Sequence, residues 1–179
     1  MNRGLAGKAR TGKTTIANRI VEKTAVKTAA FADPLREALL VMFGCLGLTP
    51  EHFEDDDLKE TVIEAIGRSP RQLMQSLGTE FGRKLVHPDI WVKVIEARNK
   101  DDIKNQNLLV TDIRMDNEAE GLRALGFVIA HVDRPDAKKV NKHSSENGVT
   151  RLAEDKVITN DSDLAALTSL TDSWLAESQ

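Results

Sequence analysis

Residues 7–14, GKARTGKT, carry the side chains and the spacing that proteins use to hold phosphate groups. Gly7 and Gly12 enclose four residues, and Lys13 and Thr14 follow at once, which completes the P-loop pattern. Glycines let backbone N–H groups turn toward a β-phosphate, and the lysine adds a positive charge beside the β- and γ-oxygens. The threonine hydroxyl is a ligand for Mg²⁺. The pattern therefore predicts a phosphate site with a magnesium ion; a helix-capping turn that binds nothing is the alternative.

A second magnesium ligand is predicted at Asp112, which ends the segment NLLVTD. A carboxylate at the end of a buried strand can hold Mg²⁺ or its water shell, whereas the alternative is an aspartate that only forms a turn. The P-loop pattern alone does not say whether water or a metabolite accepts the γ-phosphate. A guanine-specific switch normally carries Asn-Lys-x-Asp after a late strand, and NKHS at 141–144 lacks the aspartate. A GTPase is therefore disfavoured.

Further charged residues, mostly arginines, stand where they would face the same site. They are Asp33 and Arg36 beyond the second predicted strand, Arg71 and Arg83 on a predicted helix, Arg114 beyond the third strand and Arg134 beyond the fourth. The carboxyl ends of strands in an open α/β sheet form the ligand crevice. Several guanidinium groups around one pocket suit two phosphoryl groups that must approach each other. The alternative for each arginine is a solvated side chain beside a carboxylate.

The elements that would position these residues alternate along the chain. Apolar runs bounded by polar turns predict five buried parallel strands, at 4–7, 25–32, 107–112, 127–133 and 156–160. Helices are predicted at 13–24, from Pro34, from the N-cap Ser69 with Pro70, and at 91–99, 116–125 and 162–176. In the helix after Ser69, Leu73, Leu77 and Phe81 are expected on one face. His131 lies within a strand and is expected to be a core histidine with a partner.

The composition favours one compact domain over residues 1–179, with 40% hydrophobic and 30% charged residues. A formal charge of -3 with no basic tail gives no support to nucleic-acid binding. The single cysteine, Cys45, lies in an apolar run and is expected in the core, which suits a reducing compartment. No secretory signal and no membrane-spanning run are recognised, so a cytoplasmic location is expected.

Three blocks together resemble the deoxynucleoside monophosphate kinases of bacteriophages. The blocks are FADPLREAL at 31–39, RQLMQSLGTEFGRKLVHPDIWV at 71–92, and VTDIRMDNEAEGLRALG at 110–126 with the following VDRP and HSSENG. The resemblance implies a P-loop kinase fold, with a five-stranded parallel sheet flanked by helices. It also implies a helical acceptor-binding insertion over about 34–100, a lid over about 134–151, ATP as donor, Mg²⁺, and a deoxynucleoside monophosphate as acceptor.

Site residues carried over from that family fall into three groups. The resemblance implies ATP binding by Gly7, Ala9, Gly12, Lys13, Thr14, Thr15 and Asn160, with Asn160 near the adenine. It implies acceptor binding by Phe31, Asp33, Arg36, Arg71, Gly78, Thr79, Arg83 and Trp91, with the two aromatic rings as candidates for stacking on the base. Lys13, Arg114 and Arg134 would hold phosphoryl oxygens during transfer, and Thr14 and Asp112 would hold the metal.

Two other functions remain open at this level. One is a P-loop kinase for another small phosphorylated metabolite, because arginines recognise a phosphate more readily than a base. The other is a nucleotide-binding ATPase or switch that acts on a protein partner. Base preference, the choice between ribose and deoxyribose, and oligomeric state, with a homodimer among the options, are not fixed by the residues.

Overall fold

A parallel sheet of five strands organises the chain in the computed structural model, which describes residues 1–135 and 148–177. The strands are β1 (Arg3–Ala6), β2 (Lys27–Ala29), β3 (Leu108–Ile113), β4 (Val128–Asp133) and β5 (Lys156–Thr159). Their order in the sheet is β2-β3-β1-β4-β5, and every neighbouring pair is parallel. The predicted α/β class and all five predicted strands are confirmed.

Helices connect these strands. They are α1 (Lys13–Thr24), α2 (Asp33–Phe43), α3 (Glu51–Glu54), α4 (Pro70–Gln75), α5 (Ile90–Arg98), α6 (Lys100–Lys104), α7 (Asp116–Ala124) and α8 (Leu164–Glu177), with a 3₁₀ turn at Gly44–Leu46 and a π-helix at Ser76–Val86. The sequence did not predict α3, α6 or the 3₁₀ turn, all of which are too short to show a helical period. No helix within residues 1–135 and 148–177 has the length and apolar character needed to cross a bilayer.

The chain divides into two compact units. The sheet unit comprises Met1–Ala30 and Ile95–Gln179, and the helical unit comprises Phe31–Val94. The expected single domain, its insertion over 34–100 and its lid over 134–151 remain predictions. Residues 136–147, the greater part of that lid, lie outside the described residues.

The core of the sheet unit lies between the central strands and two helices. Leu5 of β1 and Leu109 of β3 are fully buried, and they belong to one cluster with Ile16 of α1 and Trp174 of α8. Every residue of β1 is buried, although the strand is short, because β3 and β4 flank it on both sides. Burial on both faces explains why the central strands read as continuous apolar runs rather than as alternating patterns.

The helical unit has its own small core of Leu39, Leu48, Phe53, Ile63 and Leu73. The predicted N-cap at Ser69 is confirmed. Its hydroxyl accepts from the backbone N–H of Gln72, and the Gln72 side chain accepts from the backbone N–H of Ser69 at 3.0 Å. This reciprocal capping box fixes the start of α4.

Two sequence predictions for the helical unit were wrong. Phe81 was expected on the buried face with Leu73 and Leu77, but its side chain is 53% exposed. A π-helix has more residues per turn than an α-helix, so the i, i+4, i+8 spacing no longer returns to one face. Cys45 was expected in the core and is exposed, because the apolar run that contains it passes from α2 into a surface 3₁₀ turn.

Candidate active site

The phosphate-binding loop spans residues 7–12, between the end of β1 and the start of α1. Both of its glycines have left-handed backbone angles, with φ of +147° at Gly7 and +105° at Gly12. A Cβ atom on Gly7 would lie 2.5 Å from the carbonyl oxygen of Val132 in β4. The loop therefore needs glycine for its backbone conformation and for its close contact with the neighbouring strand.

Hydrogen bonds inside the loop hold it closed. The Thr11 hydroxyl donates to the carbonyl oxygen of Lys8 at 3.0 Å, and Thr11 is only 3% exposed. Arg10, between them, has a φ of +62°, which is uncommon for a residue with a side chain. Sequence reasoning did not single out Thr11, because the P-loop pattern leaves its position unrestricted.

Lys13 bonds to the loop that precedes it. Its ammonium donates to the carbonyl oxygens of Gly7 at 2.7 Å and Lys8 at 2.5 Å. Lys13 is also the first residue of α1, where backbone N–H groups and the helix dipole favour an anion. Thr14 is exposed beside it, and Ala9 and Thr15 are half-buried. The loop, the helix terminus and the lysine thus form the geometry that binds phosphate.

Asn160 contacts this loop from the end of β5. Its side-chain Nδ2 donates to the carbonyl oxygen of Thr11 at 2.9 Å, and its backbone N–H donates to that of Asp133 at 2.7 Å. The expected proximity of Asn160 to an adenine remains a prediction. What the structure adds is a direct contact between Asn160 and the phosphate-binding loop.

Asp112 and Arg114 lie at the carboxyl end of β3, the strand next to β1. Ile113 pairs with Ala6, the residue immediately before the loop, so Asp112 lies beside the strand that leads into it. Thr14 and Asp112 offer hydroxyl and carboxylate oxygens, which are the donors Mg²⁺ prefers, and this ion needs few protein ligands when phosphates complete its shell. The donor set fits magnesium. Within residues 1–135 and 148–177 no cluster of three or more His, Cys, Asp or Glu side chains competes for a metal.

The two arginines expected to act in phosphoryl transfer also follow strand ends. Arg114 comes directly after β3, and its backbone N–H donates to the buried Glu118 carboxylate at 2.8 Å. That carboxylate also accepts from the N–H of Met115 at 3.1 Å and so caps the start of α7. Arg134 follows β4 and is exposed. Their predicted positions after β3 and β4 are observed, and their roles in transfer remain predictions.

A buried ionic cluster joins β4, α7 and the chain before β5. Asp155, whose side chain is 2% exposed, accepts from Arg123 at 2.5 Å, from His131 at 2.9 Å and from the backbone N–H of Leu152 at 2.9 Å. Burial raises the pKa of Asp155, but these hydrogen bonds outweigh it, so the pKa lies below its usual value. The prediction that His131 is a partnered core histidine is confirmed. No sequence signal links residues that are 24 and 32 positions apart.

Within the helical unit, the carbonyl oxygen of Gly78 is a meeting point for two side chains. It accepts from the Trp91 indole at 2.8 Å and from the Arg83 guanidinium at 3.1 Å. Gly78 lies in the π-helix, and π-helical segments are often found at functional sites. Three of the expected acceptor residues therefore contact one another directly.

Trp91 also packs on a second glycine of the π-helix. A Cβ atom on Gly82 would lie 2.5 Å from Cζ2 and 2.8 Å from Cε2 of the indole. The ring is 9% exposed and covers the glycine backbone. The backbone N–H of His87 donates to the carbonyl oxygen of Gly82 at 3.0 Å, the five-residue spacing of a π-helix. Trp91 thus supports the segment that carries Gly78, Thr79 and Arg83.

The other expected acceptor residues lie at the start of α2 and on α4. Phe31 is buried, and Asp33 pairs with Arg36 at 3.4 Å on the first turns of α2. Arg71 pairs with Glu60. Arg36 and Arg71 thus have the carboxylate neighbours that the solvated-surface alternative expected, and their phosphate-binding role stays a prediction.

Comparison with known proteins supports one family. The family model described as deoxynucleotide monophosphate kinase matches residues 47–170. The deoxynucleotide monophosphate kinase of Escherichia phage RB69 is 38% identical over 117 residues, which is 62% of this chain and 48% of that protein. The enzyme of the same name from Enterobacteria phage T4 is 36% identical over 103 residues, 56% of this chain and 43% of that protein. The matched region spans about half the length of these phage relatives.

A solved structure supports the fold. The crystal structure of shikimate kinase from Aquifex aeolicus superposes with a TM-score of 0.52 and 13% identity, covering 98% of each chain. At that identity the likeness concerns the fold alone. The chain therefore has the P-loop kinase fold that its sequence predicted.

Proposed function

Since this chain belongs to the deoxynucleotide monophosphate kinase family, we propose that it transfers the γ-phosphoryl group of ATP to a deoxynucleoside 5′-monophosphate. The observation that carries the proposal is the geometry of the phosphate-binding loop, where two left-handed glycines precede Lys13 at the start of α1. This loop lies outside the family-matched residues 47–170, so the two lines of support are independent.

The donor nucleotide binds through the loop and the first turn of α1. The proposed ATP-binding residues are Gly7, Ala9, Gly12, Lys13, Thr14, Thr15 and Asn160. Backbone N–H groups of the loop hold the phosphates, and Lys13 exchanges the carbonyls of Gly7 and Lys8 for phosphoryl oxygens. Thr14 and Asp112 hold Mg²⁺, which neutralises charge on the β- and γ-phosphates when bound.

The acceptor nucleotide is assigned to the helical unit, which corresponds to the insertion expected over 34–100. The proposed residues are Phe31, Asp33, Arg36, Arg71, Gly78, Thr79, Arg83 and Trp91. Arginine forks suit the acceptor's 5′-phosphate, because guanidinium groups make bidentate contacts to phosphate oxygens. Trp91 contributes through its contacts with Gly78 and Gly82. A lid over 134–151 is part of the proposal, although residues 136–147 lie outside the described residues.

Transfer requires no general base in this scheme. The second phosphate pKa of a nucleoside monophosphate is about 6, so the attacking oxygen is largely deprotonated near neutral pH. What the protein must supply is alignment of two phosphates and neutralisation of the spreading charge. Lys13, Arg114 and Arg134 are proposed for the second task, since a cation beside a phosphoryl oxygen stabilises the transferring group.

A substrate panel tests the proposal. ATP-to-ADP conversion with Mg²⁺ is measured across all ribo- and deoxynucleoside monophosphates, with a reaction lacking acceptor as control. We expect strong turnover that depends on one or more deoxynucleotides. Lys13→Ala should lower kcat by about 10²–10³-fold with the fold retained, because a charge that stabilises the transition state is removed. Turnover within about tenfold of the parent would contradict the role of Lys13.

Two other outcomes would replace the proposal. Turnover with a different phosphorylated metabolite, but not with nucleotides, would assign the arginines to another acceptor. Slow ATP hydrolysis that no acceptor changes would instead indicate an ATPase or switch module.

A further inference from the structure

We infer that Asn160 is a positioning residue that orients a phosphate-binding N–H of the loop through a hydrogen bond to its backbone. The inference rests on the proposed ATP site and concerns how that site keeps its shape. Two contacts carry it. Asn160 Nδ2 donates to the carbonyl oxygen of Thr11 at 2.9 Å, and the same nitrogen lies 2.7 Å from where a Cβ atom on Gly12 would be.

The first contact fixes the direction of one peptide group. The Thr11–Gly12 peptide is planar and trans, so its C=O and its N–H point in opposite directions. Because the Thr11 carbonyl points at Asn160, the N–H of Gly12 points away from it. That N–H belongs to the loop whose backbone donors bind phosphate. The side-chain amide of Asn160 therefore determines the direction of one of these donors.

The second contact explains why Gly12 lacks an alternative. A side chain there would meet the Asn160 amide at 2.7 Å and Leu167 Cδ2 at 3.3 Å. The left-handed φ of +105° disfavours a side chain independently. Gly12 and Asn160 thus fit each other, and the loop cannot move toward β5 without displacing the amide.

Asn160 can serve as an anchor because the sheet holds its own backbone. Its N–H donates to the carbonyl oxygen of Asp133 at 2.7 Å, continuing the ladder in which Asp133 pairs with Thr159. The residue therefore joins the ends of β4 and β5 to the loop that follows β1. Neither the P-loop pattern nor the spacing of residues 12 and 160 signals this link.

The chemistry of the site requires an amide rather than a carboxylate. An ionised aspartate has the same shape but no N–H, so its oxygens would face the Thr11 carbonyl as acceptor against acceptor. It would also add a negative charge beside a site for phosphates. Asn160→Asp should therefore disturb the loop, while Asn160→Ala removes the hydrogen bond without adding charge.

The control is Asn99→Ala. Asn99 is buried in the same unit, and its Nδ2 donates to the carbonyl oxygen of Ile95 at 2.9 Å, so the substitution removes a hydrogen bond of equal length within a helix. Two measurements are compared for parent, Asn160→Asp, Asn160→Ala and Asn99→Ala. One is the affinity for ADP with Mg²⁺ by calorimetry, and the other is amide hydrogen exchange over residues 7–15 without nucleotide.

We expect both Asn160 variants to bind ADP about three- to tenfold more weakly and to exchange the loop amides faster, while Asn99→Ala matches the parent in both measurements. Should Asn160→Asp fail to fold, Asn160→Ala decides. Equal ADP affinity and equal loop exchange in the Asn160 variants and Asn99→Ala would overturn the inference. A parent that binds no ADP would overturn the proposed function instead, and the exchange rates would still decide the role of Asn160.

Discussion

The phosphate-binding loop and the π-helix keep their shapes by different means. Polar contacts close the loop, since Thr11, Lys13 and Asn160 all donate to its backbone carbonyls. The π-helix is held mainly by a steric fit, in which the Trp91 ring covers Gly82 and its indole bonds to Gly78. Polar groups with fixed geometry leave a recognisable residue pattern, whereas a steric fit depends on the surrounding structure. This difference explains why one segment was anticipated in sequence and the other was not.

Asp155→Ala should have the largest effect on stability in this comparison, because it breaks a polar device. The substitution leaves the buried Arg123 and His131 without their acceptor, and we expect a loss of about 3 kcal/mol in the free energy of unfolding at pH 7. Urea denaturation measures it. A loss below about 1 kcal/mol would show that solvent replaces the carboxylate.

The pH dependence of that loss distinguishes a polar contact from a steric one. The pKa of Asp155 is lowered in the folded state, so its contribution is present above the unfolded pKa of about 3.9 and disappears as the pH falls through the folded value. The difference between parent and Asp155→Ala should therefore shrink below about pH 4. The penalty of a purely steric variant should stay constant over the same range.

Gly82→Ala is that steric variant. Its Cβ would meet three atoms of the indole at 2.5–2.9 Å, so the ring or the π-helix must shift. We expect a loss of about 2 kcal/mol, as overpacking of a well-packed site costs. Gly44→Ala is the matched control, since its φ is −58° and nothing lies within 4 Å of its Cβ. Equal stability of the two variants would show that the fit is loose.

Arg83→Ala should have the smallest effect, and it affects substrate use. It removes a donor to Gly78 and a proposed contact to the acceptor's phosphate, so we expect about a tenfold rise in acceptor KM, or about 1.4 kcal/mol, with ATP KM unchanged. Arg68→Ala, an exposed arginine of the same unit, is the control. Unchanged acceptor kinetics for Arg83→Ala would remove this residue from the pocket.

The sheet and the loop were predictable because local residues determine them. Strands β3 and β4 are apolar runs that burial on both faces requires, and the loop has a complete pattern. Ser69 and Gln72 form a capping box within four consecutive residues. In each case the interacting groups are near one another in the chain or repeat a simple period.

The remaining features depend on residues far apart in the chain. Asn160 contacts a carbonyl 149 positions away, and Asp155 draws on two separate elements. Phe81 was misplaced because a helical period was assumed where the backbone is wider. Cys45 was misplaced because an apolar run was read as buried. Composition and periodicity do not contain these tertiary relations.

The ammonium of Lys13 has a consequence for the thermodynamics of ligand entry. Because it already rests on the Gly7 and Lys8 carbonyls, a nucleotide enters by ligand exchange at the lysine rather than by simple addition. The heat of binding is then the difference between two sets of contacts to one cation, and it underreports the strength of either set. The empty loop contains its own counter-ion, which lowers the mutual repulsion of its donors while it waits for phosphate.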